Sequence, residues 1–296
     1  MKLDDTRVNI YMSDEYYEFE ARVEFSHSSF RGYEFKGTIR VGNDVVLETR
    51  DGKIIATITI RERTDDINHI MKVSYRRAEE IAFLLSLYFK DVFTVKSVNI
   101  DRGIKRSGER IEIIVFETIR IVEEVHIPHP IYLYPDGSLR KVEEDLNVLL
   151  DKLEKVKLRN EKVYEDFLRI IKWWRKGVLE EDNVDKFLHC YIAFENLAGM
   201  LGFNKNDAVR KDCERCSKQY SWVKEFAERY SIQYEYEYEY NNEKGKMKIN
   251  EIRGSLLHAP GPKKDLTEKL TEQIANKFCN DVFKAIEKVL DELSLA

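Results

Sequence analysis

The sequence predicts an α+β protein: an antiparallel, β-rich N-terminal part with one helix against it, followed by a helical bundle. Three observations carry this. Apolar and polar residues alternate in short runs through most of Val8 to Ile131, the period of half-buried strands. From about Leu146 onward apolar residues recur at helical spacing instead. Between these stretches, His126-Ile127-Pro128-His129-Pro130 and Tyr134-Pro135-Asp136-Gly137 interrupt both periods with two X-Pro pairs and a Pro-Asp-Gly turn. The expected division is residues 1–135 for the sheet and residues 140–296 for an all-α bundle.

The elements follow in order. Tyr16 to Phe25, Tyr33 to Val41 and Ile54 to Ile60 alternate as strands. Gly42-Asn43-Asp44 and Arg50-Asp51-Gly52 are turn signals between them. A helix is expected over Ser74 to Phe89, with Ser74 as its cap and Ala78, Ile81, Ala82, Leu85 and Phe89 on one face. Phe93 to Ile100 and Ile111 to Val122 are two more strands. Past the boundary, Leu146, Leu149, Leu150, Leu153 and Val156 form one stripe. Helices are then expected over Val163–Gly177, Val184–Leu201, Asn206–Tyr230, Met247–His258 and Leu266–Leu293, enough for a bundle. Tyr234 to Tyr240 alternates tyrosine with glutamate inside this helical region. It reads as a hairpin arm or an ordered loop. The alternative, a stacking platform for bases, is opposed by glutamates that would repel phosphate.

Composition bounds the function. The chain of 296 residues, 43% hydrophobic, holds one large domain or two ordinary ones. Its net charge of −5 argues against a general nucleic-acid coat, although a small basic cleft remains compatible with it. The start, Met1-Lys2-Leu3-Asp4-Asp5, does not resemble a signal peptide, and no apolar run reaches the roughly 18 residues of a membrane span. A cytosolic protein without a membrane partner is expected. Four cysteines, Cys190, Cys213, Cys216 and Cys279, are too few for a disulfide framework. Cys213-Glu214-Arg215-Cys216 is half of a zinc site, with only Cys190, Cys279 and His189 to complete it. Cys190, on an apolar helix, reads rather as a small buried hydrophobe. His126 and His129 are a conceivable metal pair or plain loop residues. No GxxxxGK[ST], GxGxxG, GxSxG or HExxH occurs, so nucleotide hydrolysis, hydride transfer and zinc proteolysis lack support, and no cofactor other than zinc is indicated.

The remaining chemistry lies in Arg253-Gly254-Ser255-Leu256-Leu257-His258. An arginine fixes phosphate by bidentate hydrogen bonds, and a histidine moves protons near neutral pH. On a continuous helix the two would point about 500° apart, but Pro260 ends the helix near His258 and lets the imidazole swing back. The structural alternatives are a bridge from Arg253 to Glu195 and a C-terminal histidine favoured by the helix dipole.

Lys186 to Leu197, with its Ala193-Phe194-Glu195-Asn196 step, resembles the second core helix of the HEPN superfamily. Ile252 to Gly261 resembles that family's Arg-x4-6-His element. The resemblance covers about Glu143 to Leu293 and is nearest in style to the ApeA-like group. It implies an all-α bundle that forms a homodimer with two Arg-His elements facing each other, and metal-independent cleavage of RNA in many members. Residue by residue, Arg253 and His258 match the catalytic pair, and Glu195 the acidic residue near the arginine. The position after the arginine is often polar in the family, whereas here it is Gly254. The resemblance thus implies a ribonuclease of the defence or toxin type. The alternative is a non-catalytic dimeric scaffold or a nucleotide- or RNA-binding module.

Overall fold

The alternating first half folds into a six-stranded antiparallel sheet. The structure is a computed structural model and describes residues 15–27, 31–33, 35, 37–107, 110–122, 131–133, 139–203, 221–241, 243–257 and 268–295. The strands are β1 (Glu15–His27), β3 (Ile39–Val41), β4 (Val45–Arg50), β5 (Lys53–Glu62), β6 (Phe93–Ser107) and β7 (Arg110–Val122), in the spatial order β3-β4-β5-β1-β6-β7. Two short strands, β2 (Arg31–Tyr33) and β8 (Ile131–Leu133), pair in parallel apart from it. Chain contacts divide the protein into two compact units, Met1–Ala82 with Phe93–Asp145 and Phe83–Val92 with Leu146–Ala296. Neither unit is one continuous stretch. Among the described residues no helix is long and apolar enough to cross a membrane.

In the first unit, alternation sets the two faces of the sheet. Phe19, Ala21, Val23 and Phe25 of β1 are buried, while Glu20 and Arg22 between them are exposed. The chain turns between β4 and β5 at Asp51 and Gly52, both at positive φ, as the Arg50-Asp51-Gly52 signal predicts. The single strand expected over Tyr33–Val41 does not form. Gly37 adopts φ 118, and the chain joins the sheet only at Ile39. β1 and β6 slip register twice, between Glu20 and Ala21 and between Glu24 and Phe25, where Glu24 pairs with Ser97 but Phe25 with Val95. Lys96 is the extra residue of a bulge, so it and Ser97 lie on the same open face.

The helix α1 (Ile67–Phe89) starts seven residues before the predicted Ser74. Asp66 is the true cap: its carboxylate accepts from the Asn68 N–H at 3.0 Å and its carbonyl from the Ile70 N–H at 3.0 Å. Ser74 sits buried inside the helix, its hydroxyl donating to the Ile70 carbonyl at 2.7 Å. Arg77 donates through Nε and Nη2 to both carboxylate oxygens of Asp44 at 2.8 Å, and through Nη1 to Glu80 at 2.7 Å. This fork fastens α1 to the β3–β4 turn. Burial works against the Arg77 charge, but the two carboxylates outweigh it and hold the guanidinium above its ordinary pKa.

The second unit takes in most of α2 (Leu139–Arg159), then α3 (Glu161–Leu179), α4 (Asn183–Met200), α5 (Ser221–Arg229), α6 (Ile249–Leu257) and α7 (Glu272–Leu295). The unit is not all-α as expected. A hairpin of β9 (Glu235–Tyr240) and β10 (Glu243–Lys248) interrupts it, and Met247 lies in a strand rather than starting a helix. Of the helix expected over Asn206–Tyr230, the part before residue 221 lies outside the described residues. The tyrosine–glutamate run is β9, the hairpin arm. Its acidic face is met across the hairpin: Glu239 pairs with Lys244 at 3.1 Å and Glu237 with Lys246 at 3.7 Å. Its aromatic face packs inward, with Tyr236 buried and Tyr238 lying over Gly245. The core is aromatic: Phe187, Tyr191, Phe194, Phe226 and Phe278 are fully buried, with Phe187 and Phe278 stacked at 4.7 Å.

Candidate functional site

Two helices build the site. Asp182 caps α4 by accepting from the Val184 and Asp185 N–H groups at 2.8 and 3.0 Å. Phe187, Cys190, Phe194 and Leu197 anchor the helix in the core. Tyr191 and Glu195, four residues apart, share one face of it. At the start of α6, the Glu251 carboxylate accepts from the Lys248 N–H at 3.2 Å, and Asn250 accepts from the Tyr234 hydroxyl at 2.9 Å. Ile249 and Ile252 are fully buried and fix the helix by its inner face. Arg253, one turn after Ile249, is thereby carried to α4.

There Arg253 Nη2 lies 3.4 Å from Glu195 Oε1, and the guanidinium lies 5.7 Å from the centre of the Tyr191 ring. The structure thus brings Glu195 and Arg253 together. A charge-assisted N–H···O bond is about 2.7–2.9 Å long, so the pair is close without being a tight fork. Arg253 Nε is buried and has no hydrogen-bond partner among the described residues. The arginine side chain keeps 25% of its surface exposed and the glutamate 33%. Burial raises the Glu195 pKa, and the opposing pull of Arg253 does not cancel it. The site is thus a half-withdrawn guanidinium with unused donors, backed by an aromatic ring and flanked by a carboxyl group that protonates more readily than usual.

A Cβ added at Gly254 would meet nothing within 4 Å. His258, Cys213, Cys216, His126 and His129 lie outside the described residues.

Cys190 and Cys279 form a disulfide that joins α4 to α7, with Cα atoms 5.5 Å apart. This corrects two expectations. Cys190 is not a free small hydrophobe, and neither sulfur is a thiolate that could complete a zinc site with Cys213 and Cys216. His189, the third candidate, faces Glu180 at 3.2 Å and stacks on Trp173. Among the described residues, no group of three or more His, Cys, Asp or Glu side chains could hold a metal ion.

No known protein family matches this chain. Comparison with curated proteins and with solved structures likewise finds no match. Tyr191 had escaped the sequence reading; its position one turn before Glu195 was the available signal, hidden because a tyrosine on an apolar helix reads as core. The disulfide gave no signal, since its cysteines stand 89 residues apart.

Proposed function

We propose that the second unit is a HEPN-like, metal-independent ribonuclease that acts as a homodimer on RNA, in the manner of a defence or toxin protein. The observation that supports it is the placement of Arg253 of α6 against Tyr191 and Glu195 of α4, with guanidinium donors unused. Arg253 holds and neutralises the scissile phosphate. Glu195 and Tyr191 fix the plane of the guanidinium. His258 moves the proton as the 2′-oxygen attacks phosphorus and the 5′-oxygen leaves, which yields a 2′,3′-cyclic phosphate. The partner protomer brings a second Arg-His element to the same cleft. A cytosolic setting is part of this reading, and burial of Cys190 and Cys279 shields their bond from exchange with cellular thiols.

The test is RNA cleavage by the full chain in EDTA, with the product ends identified. Cleavage that survives EDTA, leaves cyclic phosphate and disappears in His258→Ala and Arg253→Ala supports the reading. Cleavage abolished by the chelator defeats it. One observation favours a second reading, a dimeric scaffold: the Arg253–Glu195 pair is mostly withdrawn from solvent and links two helices, as a structural bridge does. A folded, dimeric wild type that cuts no RNA selects the scaffold.

A further inference from the structure

The open face of the sheet in the first unit carries a polar cleft of about 440 Å³, independent of the Arg253 site. Strand register assembles it. Glu24 of β1 pairs with Ile55 of β5 on one side and Ser97 of β6 on the other. Arg22 pairs with Asn99. Arg50 and Lys53 flank the turn at Asp51 that closes one end.

Three features of this cleft point to a ligand. The first is its cations. Lys53 Nζ lies 2.8 Å from Glu24 Oε1, and Lys96 Nζ lies 3.1 Å from the same oxygen. The β6 bulge brings Ser97, rather than Lys96, opposite Glu24, so both residues stand on the open face beside it. Arg22 is held loosely, 3.8 Å from Glu48, and Arg50 is exposed with no ion pair among the described residues. Two guanidinium groups are therefore available, the fork geometry that suits phosphate. The second is its hydrogen-bonding floor. Ser97 is only 3% exposed, yet neither its hydroxyl nor the Asn99 amide bonds to protein among the described residues. Both groups line the cleft and are open to a hydrogen bond from whatever occupies it. Burial tends to raise the Glu24 pKa, but hydrogen bonds from Lys53 and Lys96 prevail and lower it, so an acceptor carboxylate stands beside these groups. The third is the lining itself: Ile55 is its one apolar residue and no aromatic ring takes part, so a base has nothing to stack on.

We infer that this cleft binds a ribose phosphate, with Arg22 and Arg50 on the phosphate and Glu24, Ser97 and Asn99 on the sugar hydroxyls. The source is either a free sugar phosphate or the backbone of single-stranded RNA. Calorimetric titration of the full chain separates them, using ribose 5-phosphate, ribose, and a short homopolymeric RNA, the RNA arm in the His258→Ala background to prevent cleavage. Ribose 5-phosphate binding where ribose does not assigns a free sugar phosphate; RNA binding without ribose 5-phosphate binding assigns the RNA backbone. In either case Arg50→Ala weakens binding about tenfold, the loss of one charge-assisted hydrogen bond, and Asn99→Asp weakens it too, with the melting temperature unchanged in Arg50→Ala. No binding of either probe at millimolar concentration, or binding indifferent to Arg50→Ala, overturns the inference.

Discussion

Gly177 and Cys190 touch where α3 crosses α4. A Cβ built on Gly177 would stand 2.6 Å from Cys190 Sγ and 2.9 Å from the Cys190 backbone nitrogen. The crossing is this close only because position 177 has no side chain, and it settles where Cys190 meets Cys279. Gly177→Ala should therefore destabilise the second unit by about 1–3 kcal/mol through overpacking, despite a gain of up to ~1 kcal/mol in helix propensity. Thermal melts and titration of free thiols check this. A variant as stable as wild type with its disulfide intact would show that the crossing has slack.

The disulfide closes a sequence separation of 89 residues. In the chain-entropy description a loop of that size stabilises by about 4–5 kcal/mol. Cys190→Ser should lower the denaturation midpoint strongly under oxidising conditions. Wild type in reductant should approach the variant, and slowly, because both sulfurs are buried. Equal midpoints for wild type and variant without reductant would mean that the bond does not form.

Glu195 gives a pH dependence opposite to that of most paired carboxylates. Its folded pKa is raised, so between the ordinary value near 4.5 and the raised one the folded state binds more protons than the unfolded. Its contribution is fully present below the ordinary value and is lost as pH climbs through the raised one. Glu195→Gln should remove that downward slope and leave neutral-pH stability equal or higher, although it breaks an ion pair. Arg253→Ala, which removes the charge that lowers the Glu195 pKa, should extend the slope to higher pH. Denaturant titrations across this range measure both. A strong loss of stability in Glu195→Gln at neutral pH would show that Coulomb attraction, not burial, dominates the pair.

Gly254 separates stability from assembly. Since a Cβ there meets nothing within 4 Å, Gly254→Ala should raise the stability of the protomer by up to ~1 kcal/mol. If the proposed homodimer packs α6 closely against its partner, the same methyl weakens association. Sedimentation at several concentrations, beside thermal melts, should show a firmer fold and a looser dimer. A dimer unaffected by the substitution places the interface elsewhere.

Arg77→Lys keeps the charge but not the fork to Asp44 and Glu80. Losing charge-assisted hydrogen bonds of this kind costs about 1.5–3 kcal/mol. The loss should appear as earlier hydrogen exchange in β3, β4 and the start of α1.

The sheet was readable because period two is written in every strand: Phe19, Ala21, Val23 and Phe25 against Glu20 and Arg22. The Arg253–Glu195 meeting was readable because each residue sits in a recognisable helical segment. Other features depended on properties with no local signature. Ser74 looked like a cap because serine caps often, whereas Asp66 was already in place to start the helix about two turns earlier. The hairpin within the helical half was half-visible in its tyrosines. Its lysine partners gained meaning only once register paired Lys244 with Glu239 and Lys246 with Glu237. The bulge at Lys96 and the Cys190–Cys279 bond follow from how distant strands and helices align, which no window of sequence contains.

The interleaved membership of the two units constrains how the protein can be cut. Phe83, whose ring packs edge-on against Phe167 at 6.0 Å, belongs to the second unit, yet it is made long before β6 and β7 complete the first. A fragment beginning near residue 140 would lack the 83–92 strip of its own core, and one ending near 135 would expose that strip to water. A protease nick between residues 135 and 140 should accordingly leave two pieces that stay associated until denatured. Co-expressed halves should rescue each other's solubility where each alone precipitates. A ribosome releasing this chain presents the 83–92 strip well before the rest of the second core, so its aggregation risk is greatest at mid-synthesis.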